Sequence, residues 1–175
     1  MQIANKGLGW LLGLNALFGG HAAAAGTINF EDLSSPLPAS GSPLVSSGYQ
    51  FTTTDLHGIF DAAGFGASNG THFLVYRSGG SGSESFAAVS GTAFNLGSLD
   101  LGGWHNFGST PLSIEITGYR AHGPNVTSTV SVAYGVFQSY TLTGFTNLTS
   151  VRLGSFAGAY PVSYTHLRAH ETSLH

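Results

Sequence analysis

The chain contains no cysteine. That excludes disulfide scaffolds, thiolate zinc sites, iron–sulfur clusters and cysteine nucleophiles. Charge is nearly as scarce: 7% of the residues are Asp, Glu, Lys or Arg, where a globular chain carries roughly 25%. Lys and Arg number 5 against 8 Asp and Glu, and they form no basic run. A nucleic-acid partner, which is held through clustered cations on phosphates, is excluded on that basis. The 175 residues suffice for one domain and hardly two. Glycine is abundant, at 26 residues, and aromatics make up 12%. The chain is therefore rich in turns yet supplied with enough large side chains to fill a core.

The N-terminus reads as a secretory signal. Lys6 supplies the positive region, and Leu8 to Phe18 is an apolar run too short to cross a bilayer core of about 30 Å. Ala23 and Ala25 fit the small-x-small cleavage pattern, so cleavage is expected between Ala25 and Gly26. Residues 1–25 form the signal and the mature chain starts at Gly26.

From Gly26 to Tyr160 no apolar stripe of helical period is sustained, whereas alternation with period two recurs. Thr27–Glu31, Tyr49–Thr52, His72–Arg77, Phe94–Leu101, Leu112–Tyr119, Val126–Tyr134, Tyr140–Thr143 and Ser150–Leu153 read as short strands. Strands of that length and number predict an all-β fold, an antiparallel two-sheet β-sandwich of jelly-roll type. One wet face per sheet accounts for the Thr and Ser content. The segment holding Pro36, Pro38 and Pro43 reads as a loop, as does Gly79–Ser83. No linker divides residues 26–160.

After Pro161 the composition changes. Glycine vanishes, and His166, His170 and His175 lie close together. Val162 to Thr172 resembles, without mismatch, the translation of a transposase-type sequencing-library adapter. That resemblance implies that residues 161–175 are a tail foreign to the domain and that the native C-terminal end is missing. The alternative is a natural His-rich tail able to bind metal.

Within the mature chain, Thr27–Leu33, Gly91–Leu101, Ile116–Tyr119 and Tyr140–Val151 resemble the exported domain of PEP-CTERM proteins of Gram-negative bacteria. The resemblance implies export to the cell envelope or the extracellular matrix, with signal peptidase and an exosortase as processing enzymes. In that family a Pro-Glu-Pro signal, a transmembrane helix and a basic tail close the chain. None of them stands here, and the missing end is where they would be. Membrane attachment would then run only through the removed signal and that lost anchor. An exopolysaccharide or other glycan is the partner such a matrix implies.

Few residues offer chemistry. With Glu171 in the tail set aside, the acids are Glu31, Asp32, Asp55, Asp61, Glu84, Asp100 and Glu115. The Glu31-Asp32 pair has two readings. In jelly-roll domains similar to carbohydrate-binding modules, an early acidic pair and a late Asp hold a structural calcium; otherwise the two are solvated acids at a strand end. His57, His72, His105 and His122 lack zinc-site spacing and read as structural. No Gly-x-Ser-x-Gly elbow precedes a helix. The Gly102–Gly108 stretch is the best candidate binding loop. Trp104 can stack on a sugar face while His105 and Asn106 bond its hydroxyls; alternatively Trp104 and Phe107 fold back as a lid on the sandwich. Tyr119 and Tyr134 stand at alternating apolar positions and read as core.

The expected function is thus an exported, non-enzymatic matrix or surface component that binds glycan weakly. Two alternatives stand beside it. One is a polysaccharide-active enzyme using two of Glu31, Asp32, Glu84, Asp100 and Glu115. The other is a passive structural protein without a ligand.

Overall fold

The computed structural model describes residues 26–61, 67–77, 82–103, 111–154 and 162–171. Thirteen strands lie among them: β1 (Gly26–Ile28), β2 (Leu37–Ser40), β3 (Leu44–Ser46), β4 (Tyr49–Thr53), β5 (Leu56–Phe60), β6 (Phe73–Arg77), β7 (Glu84–Ala88), β8 (Phe94–Gly103), β9 (Leu112–Arg120), β10 (Val126–Val132), β11 (Gln138–Thr141), β12 (Leu148–Leu153) and β13 (Val162–Glu171). All thirteen belong to antiparallel ladders.

One pair, Leu148 opposite Phe94, links β12 to β8. Apart from it the ladders divide into two sheets. The first runs β2-β5-β6-β13-β8-β11, with β1 beside the later half of β13. The second runs β10-β9-β12-β7-β4-β3. The all-β, antiparallel sandwich expected from alternation is the architecture found.

Alternation decides which side chains lie between the sheets. In β9, Ile114 and Ile116 are buried while Ser113 and Glu115 are exposed. In β12, Val151 and Leu153 are buried and Arg152 between them is exposed. Phe51 and Phe86 of the second sheet form the middle of the core, 5.4 Å apart, with Phe30 edge-on to Phe51 at 5.1 Å and Tyr49 edge-on to Phe94 at 5.2 Å. Aromatic pairs in such edge-on geometry stabilise by about 0.5–1.5 kcal/mol beyond their burial. Ile59, Leu74, Tyr76, Leu99 and Leu101 of the first sheet pack against this group.

β13 is an inner strand. Val162–Tyr164 pair with Tyr76–Leu74 of β6 on one side and with Gly103–Leu101 of β8 on the other. Sequence composition sets residues 161–175 apart from the domain, but in the structure 162–171 sit inside the first sheet. The physical reason is general: the facing edges of β6 and β8 need backbone partners, and an extended, Pro-free segment supplies them. The N-terminal expectation meets the described residues only at Gly26, which opens β1 opposite Ala169; residues 1–25, Ala25 included, lie outside them.

Candidate binding face and the placement of the acids

The outward side of the second sheet carries an aligned set of polar side chains. Thr127 of β10 lies opposite Thr117 of β9, Thr117 opposite Arg152 of β12, Arg152 opposite Ser85 of β7, and Ser85 opposite Thr52 of β4. One row thus crosses five strands, a span of about 19 Å at the usual strand spacing. Thr127, Arg152 and Thr52 are exposed, and Thr117 and Ser85 are half-exposed. Neighbouring rows on the same face hold Glu115 opposite Thr129, Tyr119 opposite Ser150 and Gln50 opposite Ala87. Thr117 Oγ1 donates to Glu115 Oε1 at 3.4 Å. The face therefore offers hydroxyls, one planar guanidinium and an amide in a sheet-held arrangement. This is a donor and acceptor set suited to sugar hydroxyls.

This row is not apparent from any one segment of the sequence. Its polar phase is visible in Val151-Arg152-Leu153 and Ile116-Thr117-Gly118. The alignment arises only from the register of strands far apart in the chain.

Glu31 and Asp32 are brought to different partners. Phe30 turns the chain with a positive φ of 60°, a costly conformation for a bulky residue, and its ring is fully buried. Beyond it, Glu31 Oε1 accepts the His72 N–H at 2.7 Å. Asp32 instead accepts the Ser46 hydroxyl at 2.6 Å and the Ser47 N–H at 2.8 Å. Burial works against the Asp32 charge, but the Ser46 hydroxyl and Ser47 N–H outweigh it and hold the carboxyl below its usual value. Both acids thus fasten the turn after Phe30 to neighbouring segments of the chain. Among the described residues no group of three or more His, Cys, Asp or Glu side chains converges as for a metal.

Glu84 lies between the sheets, where its carboxylate meets His57 Nδ1 at 3.0 and 3.1 Å. His57 Nε2 faces the Ser42 carbonyl at 2.6 Å. Both side chains are 0% exposed. Asp100 accepts a hydrogen bond from Ser139 of the adjacent strand. His72 is structural too, with Nδ1 3.2 Å from the Phe30 carbonyl.

Trp104, His105 and Asn106 lie outside the described residues. Their approach is visible: Gly103 donates to the Ala133 carbonyl at 2.9 Å, and its own carbonyl accepts from Ala67 and Gly135. Tyr134 lies beside Gly103 and is 46% exposed. The expectation that Tyr134 is core is therefore corrected. β10 ends at Val132 and Gly135 turns the chain with φ 74°, so Tyr134 leaves the alternation before it can point inward. Tyr119, expected in the core as well, is on the outward face and half-exposed.

No protein-family model matches the chain, and no curated protein matches it. Solved structures do resemble it. An exo-β-agarase matches with a TM-score of 0.54 at 11% identity, over 83% of this chain and 25% of the agarase chain. TmCBM61, solved with β-1,4-galactotriose, matches at 0.47 and 11% identity, over 72% of this chain and 90% of its own. The CBM22-1–GH10 part of Clostridium thermocellum xylanase 10B, solved with xylohexaose, matches at 0.48 and 11% identity, over 86% of this chain and 29% of its own. At these identities the likeness is one of fold alone, and the agarase match carries it: the chain is an all-β sandwich.

Proposed function

We propose that this chain is an exported, non-enzymatic β-sandwich that binds a glycan on the outward face of its second sheet. The observation that carries this reading is the row Thr127, Thr117, Arg152, Ser85 and Thr52, in register across five strands. A guanidinium presents five N–H donors in a fixed plane and can engage neighbouring hydroxyls together. Flanking Thr and Ser hydroxyls both donate and accept. The shortage of charge, 7% of residues, suits an uncharged polymer better than a polyanion. Export, exosortase sorting and residence in an exopolysaccharide-rich matrix complete the reading, supported by the signal-like N-terminus and the PEP-CTERM resemblance.

The non-enzymatic part is supported by where the acids lie. A glycosidase needs two carboxyls facing one bond from opposite sides. Glu84 is enclosed with His57, and Glu31 and Asp32 are turned to separate backbone and hydroxyl donors.

Affinity electrophoresis against a panel of neutral and acidic polysaccharides tests the proposal. Retardation by a neutral polysaccharide, lost in Arg152→Ala, with no reducing ends released, is the expected result. Retardation lost in Trp104→Ala and kept in Arg152→Ala would move the site to Trp104 and its sequence neighbours. Release of reducing ends, abolished by alanine at two acids, would make the chain an enzyme.

A further inference from the structure

We propose that β10 is a self-pairing edge through which two copies of this chain join their second sheets antiparallel about a two-fold axis at Ser128. β10 ends the second sheet, and among the described residues it pairs with β9 alone. Edge strands are usually blunted by shortness, proline, charge or a bulge. The other edges follow that pattern. β3 has three residues, β2 has four with Pro38 among them, and β11 has four. β10 has seven residues, Val-Thr-Ser-Thr-Val-Ser-Val, with neither charge nor proline, and its ladder with β9 runs through all seven without a register shift.

The sequence also suits a two-fold. Val126-Thr127-Ser128-Thr129-Val130 reads the same in both directions about Ser128. Antiparallel pairing of two such strands sets Val126 opposite Val130 of the second copy, Thr127 opposite its Thr129, and Ser128 opposite its Ser128. In a two-fold interface the same patch meets itself, and here the palindrome makes each residue meet one of its own kind. Thr127 and Thr129 are exposed on the outward face, while Val126, Ser128 and Val130 are half-buried toward the core. Like therefore meets like on both faces, and cross-strand Thr pairs are favourable in sheets.

The segment has natural ends. Pro124 has no N–H to give to a ladder. At the other end the Tyr140 hydroxyl donates to the Ser131 carbonyl at 2.5 Å, occupying the edge beyond Val130. The partner is thus a second copy, in one register.

Sedimentation equilibrium of the whole chain, with charge-swapped variants, tests this. The unchanged chain is expected to show a concentration-dependent dimer. T127K/T129K sets Lys opposite Lys in both pairs and is expected to weaken the dimer roughly tenfold or more. T127K/T129E sets Lys opposite Glu in the same register and is expected to dimerise like the unchanged chain. Thermal melts confirm that both variants fold. A monomer mass for the unchanged chain at every concentration would overturn the proposal, even if T127K/T129K failed to fold. So would equal dissociation of the two folded variants.

Discussion

The imidazole of His57 joins the two sheets: Nδ1 bonds both carboxylate oxygens of Glu84 across the core, and Nε2 bonds the Ser42 carbonyl. A neutral imidazole has one N–H, so with Glu84 ionised, acceptors on both nitrogens are met by the imidazolium, the form that the Glu84 contact and charge favour. Ser42 lies between β2 and β3, where the chain passes from the first sheet to the second. The ion pair therefore holds that crossover as well as the two strands.

Removing one partner leaves the other as an enclosed, uncompensated charge. His57→Ala and Glu84→Ala are each expected to cost about 3–5 kcal/mol, read from urea unfolding. Replacing both by apolar residues of similar volume is expected to recover most of that loss. A single substitution costing under about 1 kcal/mol, the range of an exposed ion pair, would contradict the arrangement.

Burial alone would lower the His57 pKa, but the Glu84 hydrogen bond and charge, with the Ser42 carbonyl, raise it above 6.5. Its contribution is complete below that value and is lost as pH rises through the higher folded pKa. Asp32 has the opposite sign: its contribution is complete above 3.8 and is lost as pH falls through its lowered folded value. Denaturation midpoints across pH should therefore decline on the alkaline side, and His57→Gln should flatten that decline. An equal alkaline decline in the variant would count against the assignment.

Gly118 is inward-facing on β9 with no room for a methyl group. A Cβ there would stand 2.9 Å from Leu148 Cδ2 and from Val126 Cγ1, and 3.0 Å from Phe145 Cδ1. Gly118→Ala is expected to destabilise by about 1–3 kcal/mol through overpacking. A neutral or stabilising effect on the melting temperature would show that the core there is looser than described.

β13 separates β6 from β8. A chain ending at Tyr160 leaves two facing strand edges in the middle of the first sheet, and both expose unpaired backbone groups. It is expected to aggregate or melt without cooperativity. A monodisperse 26–160 chain with an unchanged melting temperature would show that the strand adds little.

Strong alternation made the long strands legible. The burial of Ile114, Ile116, Val151 and Leu153 follows the pattern of their own segments. β2 and β3 were hidden in a stretch rich in Pro, Ser and Gly. β5 and β7 were hidden because their inward positions include His57 and Glu84, whose polarity breaks the pattern, although across the core they satisfy one another. The tail composition gave no hint that 162–171 would pair. The row through Arg152 depends on register among β10, β9, β12, β7 and β4, which no local segment encodes.

The most direct test of the binding face is a titration of isotope-labelled chain with the retarding glycan, followed through backbone amide resonances. Shifts are expected at Thr52, Ser85, Thr117, Thr127 and Arg152, saturating together, with the first sheet unmoved. Shifts centred on residues 104–106 and Tyr134, with the Arg152 row silent, would contradict it.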